Sequence, residues 1–516
     1  MQTEKEYSAL REIASLRCES VGEYSLPDYN GDVRKILTVR TKVFPSGKFV
    51  GDDSLEISGT VGYEIVYLDS ENNITHTEFT TDYEAAVKIN SETYIDSDVR
   101  SSVLTCNVRL VGPRKLSVKC SLDNDFKISE RRTYSIGGDA FMELEPETLD
   151  SSASILTASF SSADGREISA ELLSIEGAIA DEVEILLCDA RLEQSYTDVS
   201  EGKATIKGDI VFTSLVRNAE QIPQLVIKSV PYSEELSLDD SDSFASIDCR
   251  VDFTSIKSSV TPTEDGISLS ACASVIPRLT GKKNRSLELV SDAYLKERSS
   301  SNEYVDFGYI EHVASERKDD VLEYKLSPTE LGLEGSAEVI YTDAHARVEK
   351  CEIQDDGVVI VGEIRVSGIA CQVFEGASPL FSPIKINLPF EQNVNINCQK
   401  HGNMRSNCTV NVNAVKVNID ENGAVVNLDI SSFVTISTER RQRCLGASYL
   451  GDEEYERDDS VVTVYYPDSS ESLFSIAKRF HTSVVSIAES NRLTESVFAS
   501  LGEPLSNQNV KKLLIK

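Results

Sequence analysis

The sequence predicts a mainly β protein: three tandem β-rich, sandwich-like domains followed by a small βααβ module. Three observations predict it. Period-2 alternation of apolar residues dominates from residue 33 to 437. A set of anchor residues recurs three times along that stretch. Beyond it, residues 460–516 change to helical spacing between two strand patterns.

The opening "MQTEKEYSALREIASLRCES" carries Leu10, Ile13, Ala14 and Leu16 at the spacing of a short amphipathic helix, so residues 1–22 are expected to form an N-terminal helix. Its charges are interleaved and it has no apolar run of the signal-peptide kind. The first β domain is expected over 23–135. Its centre, "LEISGTVGYEIVYLD" (Leu55–Asp69), alternates apolar and polar residues, is rich in β-branched side chains and has a central glycine.

The pattern recurs as "ATIKGDIVFTSLVRN" (Ala204–Asn218) and "VVIVGEIRVSGIACQ" (Val358–Gln372), which aligns Gly59, Gly208 and Gly362. Other features keep step. An aromatic beside acidic residues follows each glycine: Tyr83, Tyr232 and Phe390. A strand pattern precedes each: "ILTVRTKV", "EILLCDARL" and "VIYTDAHARV". Beyond each unit comes "DAFM" at Asp139, "DAYL" at Asp292 or "ASYL" at Ala447. These anchors place the second and third domains at 170–282 and 333–445. Each unit closes in a strand pair, and "DENG" (Asp420–Gly423) is a hairpin signal. Antiparallel sheets packed face to face are the expected architecture. The period is too long for a solenoid, so each copy is expected to fold as its own domain. The Ser-, Glu- and Lys-rich segments 144–154, 296–304 and 450–460 read as linkers or long surface loops, with an acidic linker at 446–459.

Composition narrows the function. The 516 residues hold 51 basic and 85 acidic side chains, a net charge of −34. Such a surface is repelled by nucleic-acid phosphates and anionic lipid head groups, so no nucleic-acid partner is expected. No stretch approaches the ~18 apolar residues of a membrane span, so direct membrane insertion is not expected. The eleven cysteines include no C-x-x-C pair and read as small buried thiols in a reducing compartment. Cys398 and Cys408 with His401 fit no standard zinc spacing. None of the five histidines lies in H-E-x-x-H, and there is no G-x-S-x-G elbow, P-loop or G-x-G-x-x-G. The expectation is a non-enzymatic protein without a cofactor.

"EYSLPDYNGDVRKILTVRTKV" (Glu23–Val43), "LEISGTVGYEIVYLD" and "VSDAYLKERSSSNEY" resemble segments of the SPOCS-domain spore-coat morphogenetic family of endospore-forming Firmicutes. Several of its members end in a LysM module. Val461–Leu493 and the terminal "KKLLIK" are similar to that module. "VVTVYY" matches its first strand. Leu473, Ile476, Ala477 and Phe480 give the first helix one buried face. Val484, Ile487 and Ala488 point the second helix inward, Asn491 matches the end asparagine, and 511–516 match the closing strand.

The resemblance implies a scaffold of the endospore envelope in the mother-cell cytoplasm, at the forespore surface. Its implied partner is the ATP-hydrolysing basement-layer coat protein, bound through the LysM-like end. Two loops depart from the LysM pattern, and in the family both line the groove for N-acetylated sugars. Pro467–Ser472 stands in place of Gly-Asp-Thr, and "TESVFASLGEPLSNQNV" is longer and lacks Pro-Gly-Gln. Ser470 or Ser472 is expected to cap the first helix. The candidate contact residues, for partner or glycan, are Asp468, Ser470, Ser472, Leu473, Asn491 and Phe498, with Phe498 as the aromatic anchor of a protein interface. The alternative is a peptidoglycan-binding wall protein, which requires export. A carbohydrate-active enzyme is a third reading for which the sequence offers no catalytic residue.

Overall fold

The structure, a computed structural model, describes residues 4–28, 30–138, 140–200, 202–218, 222–238, 244–327, 330, 337–373, 378–398, 400, 402–420, 423–455, 461–493, 501–505 and 510–515. The chain is mainly β, and the described residues include two short α-helices near the C-terminus.

One pairing scheme occurs three times. The first unit comprises β1 (Glu4–Ser25), β2 (Val33–Val50), β3 (Ser54–Asp69), β4 (Ile74–Lys88), β5 (Tyr94–Gly112) and β6 (Lys115–Ser135). Its sheets are β2-β3-β4 and β1-β6-β5. A two-residue strand β7 (Gly137–Gly138) follows. The second unit comprises β8 (Glu147–Ser162), β9 (Arg166–Glu176), β10 (Glu184–Ser200), β11 (Lys203–Arg217), β12 (Gln224–Ser237), β13 (Ser246–Pro262) and β14 (Gly266–Tyr294). Here β10-β11-β12 is one sheet, while β8 and β9 share one side of β14 and β13 takes the other. The third unit comprises β15 (Arg298–Leu326), β16 (Glu338–Gln354), β17 (Gly357–Gln372), β18 (Leu380–Asn395), β19 (Met404–Asp420) and β20 (Gly423–Glu454), in sheets β16-β17-β18 and β15-β20-β19. Every pairing within the units is antiparallel.

The anchor glycines stand at the same register position. Gly59 lies opposite Tyr83, Gly208 opposite Tyr232 and Gly362 opposite Phe390. Close approach explains the residue type. A Cβ on Gly59 would lie 2.7 Å from the Tyr83 ring, and one on Gly362 would lie 2.7 Å from the Phe390 ring. In each unit the inner faces of the two sheets share a core. Leu55, Tyr63, Leu122 and Phe126 belong to the first, Ile206, Phe212, Leu269 and Val275 to the second, and Ile360, Ile364, Leu428 and Ile436 to the third.

The units also share two cores with one another. Leu37, Val66, Leu186, Leu215, Tyr341 and Ile369 come together from all three central sheets. Tyr134, Met142, Ile155, Leu289, Val290 and Leu445 do the same where the long outer strands meet.

Several sequence expectations are corrected here. The helix expected over 1–22 is not found in its described part: Glu4–Ser25 is a strand, paired with β6 from Glu4↔Ser135 to Ser25↔Lys115. A bulge between Ile13 and Leu16 is the reason. Ser15 takes a positive φ of 59°, its N–H donates to Asp125 (3.0 Å) and its hydroxyl to Asp123 (3.1 Å). The bulge shifts the period-2 phase and leaves Ile13 and Leu16 three apart, which mimics one turn of helix. The supposed linkers also lie largely in strands. Residues 147–154 belong to β8, 298–304 to β15, and β20 runs through to Glu454. Their polar composition reflects partial alternation, since Ala153 and Ile155 of β8 face the shared outer core while Asp150 and Ser152 are exposed. For the same reason β14 continues past 282 and β20 past 445, and the expected acidic linker 446–459 begins as strand.

Candidate partner-binding site

Residues 461–493, 501–505 and 510–515 build a module from β21 (Thr463–Tyr465), α1 (Leu473–Arg479), α2 (Val484–Asn491) and β22 (Leu513–Ile515). β21 and β22 pair antiparallel, Thr463 opposite Ile515 and Tyr465 opposite Leu513.

Local chemistry explains both helices. Of the two serines proposed as caps, Ser472 is the one that caps α1. Its Oγ accepts from Ser475 N (3.1 Å), and Ser475 Oγ accepts from Ser472 N (3.0 Å). Leu473, Phe474, Ile476 and Ala477 are buried, and Phe480 meets the Tyr465 ring edge-on at 5.2 Å. Ser483 caps α2 by accepting from Ser486 N (3.0 Å). Val484, Ile487 and Ala488 turn inward, and Arg492 ends the helix at φ 55°.

The loop before α1 is organised by Glu471. Its carboxylate accepts from the Tyr465 hydroxyl (2.7 Å) and the Asp468 N–H (2.9 Å), and pairs with Arg479 (2.6 Å). Burial opposes its ionisation, but the Asp468 N–H, the Tyr465 hydroxyl and Arg479 together hold its pKa below the usual carboxylate range. This loop is tied to the segment 501–505. Leu505 N donates to Glu471 O (2.8 Å), Phe474 N to Leu501 O (3.3 Å), and Ser472 forms a β-bridge with Pro504. These bonds join the start of α1 and the loop before it to the described part of the segment after α2.

The six residues singled out from the sequence fare differently. Asp468 and Ser470 are exposed on the loop. Ser472 is spent on the cap. Leu473 is 1% exposed and belongs to the core, so it offers no contact surface. Asn491 is a structural staple: its amide nitrogen donates to Ile487 O and Leu514 O, and its carbonyl accepts from Leu514 N, each at 2.7 Å. Phe498 lies outside the described residues, as does His401.

Two features escaped the sequence reading. The first is a seat for the module on the body. The Tyr294 hydroxyl donates to Thr482 O (2.7 Å), and its ring meets Phe474 edge-on at 5.2 Å. Lys478 Nζ reaches both carboxylate oxygens of Asp292 at 2.7 Å. Tyr455 stacks on His481 at 3.6 Å. Asp292 and Tyr294 are the "DAYL" signature, so the signal was present in the sequence without its meaning. The second feature is an apolar stripe on the outer face of β21. Val462, Val464 and Tyr466 are at least half exposed, and among the described residues β22 is the one strand paired with β21.

The centre of the body holds a polar cluster. Arg40 pairs with Glu64 (2.9 Å) and with Asp189 (3.0 Å) of the second unit, where Lys42 joins at 2.8 Å. His345 of the third unit pairs with Asp343 at 3.1 Å. Burial opposes ionisation of Asp189, yet Arg40 and Lys42 hold its pKa well below the usual range, while Asp343 raises that of His345. A cavity of about 810 Å³ adjoins them and is lined from all three units. Among the described residues no group of His, Cys, Asp and Glu is arranged to hold a metal ion, and no helix is long and apolar enough to cross a membrane.

In comparison with known proteins, no family model, no curated protein and no solved structure matches the chain.

Proposed function

We propose that the protein is a non-enzymatic adaptor of the endospore envelope, built from three tandem SPOCS-type sandwich domains and a LysM-type terminal domain that docks a protein. It acts in the mother-cell cytoplasm at the forespore surface, and its partner is the ATP-hydrolysing basement-layer coat protein. The resemblance of Glu23–Val43, Leu55–Asp69 and Val290–Tyr304 to the SPOCS family supports the setting. The βααβ order of the module supports its LysM-type character.

One observation carries the choice of protein over glycan. The two loops that line the sugar groove in LysM modules are here bonded backbone to backbone, through Leu505 N to Glu471 O and Phe474 N to Leu501 O. A sugar N-acetyl group needs free donors and acceptors in a shaped groove, and among the described residues Leu505 N, Glu471 O, Phe474 N and Leu501 O are already engaged with one another. The outer face of β21 offers Val462, Val464 and Tyr466 instead, a composition suited to an interface core. Charge is consistent with this. Residues 461–516 hold six basic and five acidic side chains, so the strong negative charge lies in the body.

The peptidoglycan-binding reading rests on the same βααβ order and is the alternative. A fluorescent fusion to the full chain in sporulating cells separates the two. A shell around the forespore supports the adaptor; a uniform signal along the vegetative wall overturns it.

A further inference from the structure

Two residues beyond Arg40, Asp189 and Asp343, the edge strands of the three central sheets agree in sign. Lys42, Arg191 and His345 stand on β2, β10 and β16 opposite Gly62, Val211 and Arg365. These partners lie at one offset from the anchor glycines Gly59, Gly208 and Gly362, so the three basic positions are equivalent. All three line the cavity of about 810 Å³, as do Arg347 of β16 and Arg365 of β17. Three units thus bring basic groups to one recess, in a chain whose acidic residues outnumber the basic 85 to 51.

Their partners leave these cations reachable. Lys42 pairs with Asp189 at 2.8 Å and His345 with Asp343 at 3.1 Å. Arg191 pairs with Glu193 and Arg365 with Glu363, each on its own strand and each with the arginine more than 40% exposed. Exposed pairs of this kind contribute little. The His345 side chain is 66% exposed, and Asp343 favours its charged form. Arg347 has no hydrogen-bond or ion-pair partner among the described residues. The acidic lining groups are largely engaged. Asp189 also holds Arg40, Asp252 holds Arg250 and Arg278, and Asp123 and Asp125 accept from Ser15. Glu349 stands beside Lys350, where β16 shifts register.

We propose that this cavity binds an oligophosphate, with Arg191, Arg347 and Arg365 gripping its oxygens and Lys42 and His345 adding charge. Guanidinium forks match phosphate oxygens bidentately. The volume falls within the range of about 300–1,000 Å³ of small-ligand sites. An anion of several charges suits a recess where several cations hold weak partners, because it replaces Glu193 and Glu363 together. The bound anion touches all three units and stabilises their arrangement.

The experiment titrates the full chain with sodium tripolyphosphate in about 0.15 M salt and reads binding by calorimetry. The expected result is saturable binding of one tripolyphosphate per chain and a raised melting temperature. Arg191→Gln and Arg347→Gln should each weaken binding about tenfold, the loss of a charge-assisted hydrogen bond. Arg317→Gln, which removes an exposed pair with Asp319 away from the cavity, should leave it unchanged. ATP binding tighter than tripolyphosphate assigns the site to a nucleotide, and equal or weaker ATP binding assigns it to an inorganic oligophosphate; both support the proposal. In the wild-type chain, tripolyphosphate should shield Arg191 and Arg347 from phenylglyoxal, as mapped by mass spectrometry, and this map decides even where a variant fails to fold. No saturable binding up to millimolar tripolyphosphate overturns the proposal. So does binding that leaves Arg191 and Arg347 unshielded.

Discussion

Two carboxylate-centred networks hold this protein together, and they differ in reach. At the centre of the body, Asp189 and Glu64 meet Arg40 and Lys42, and Arg40 and Asp189 come from separate units. In the module, Glu471 gathers Tyr465, Asp468 and Arg479 from a short stretch of chain. The first network specifies order. Arg40, Asp189 and Asp343 stand at equivalent register positions, opposite Glu64, Thr213 and Ser367. One cation and two anions there distinguish the three units, which the apolar residues around them do not. The second network specifies the shape of one loop, Tyr465 to Glu471, against α1. Buried charge thus selects arrangement in both regions, over very different distances.

Removing Arg40 should have the largest effect. Arg40→Met leaves Glu64 and Asp189 enclosed with one counter-ion fewer, a loss of about 3–5 kcal/mol. Denaturant unfolding of the full chain measures it. Leu473→Ala comes next, at about 2–5 kcal/mol, because this residue is core. Hydrogen exchange should show the loss within α1 and α2 while the body stays protected. An effect on binding without loss of module stability would return Leu473 to the contact surface.

Acid sharpens the contrast further. The folded pKa of Asp189 is depressed, so its contribution is present above the ordinary aspartate pKa of about 4 and is lost as pH falls through the folded value. Glu64 has the opposite sign. Burial raises its pKa despite Arg40, so its ionisation costs stability as pH rises through that raised value. Stability measured from pH 7 down to pH 3 should fall, and Asp189→Asn should flatten the slope. Tyr294→Phe should have the smallest effect, about 1 kcal/mol for one hydrogen bond to Thr482 O. Its signature is faster exchange in the module with unchanged exchange in the body.

The strand character and the anchors were legible in sequence because they are local. Alternation writes the sheet faces directly, and a ring lying over Gly59 or Gly362 forbids any side chain there. The capping serine and the inward faces of α1 and α2 were legible for the same reason. The N-terminal strand was not, because the bulge at Ala14–Ser15 broke its alternation. Long-range partnerships were not legible either. Nothing near Arg40 in the sequence announces Asp189, and the role of Asp292 depends on Lys478, 186 residues away. Asn491 was noticed for its position, but its bonds to Leu514 could not be inferred before β22 was in place.

The choice of protein over glycan rests on the bonds between the two loops, and titration of the full chain with chitin oligomers tests it most directly. With Glu471, Leu501 and Leu505 bonded as they are, calorimetry should detect no saturable binding up to millimolar oligomer. Stoichiometric binding in the micromolar range would contradict the account and make the module a glycan reader.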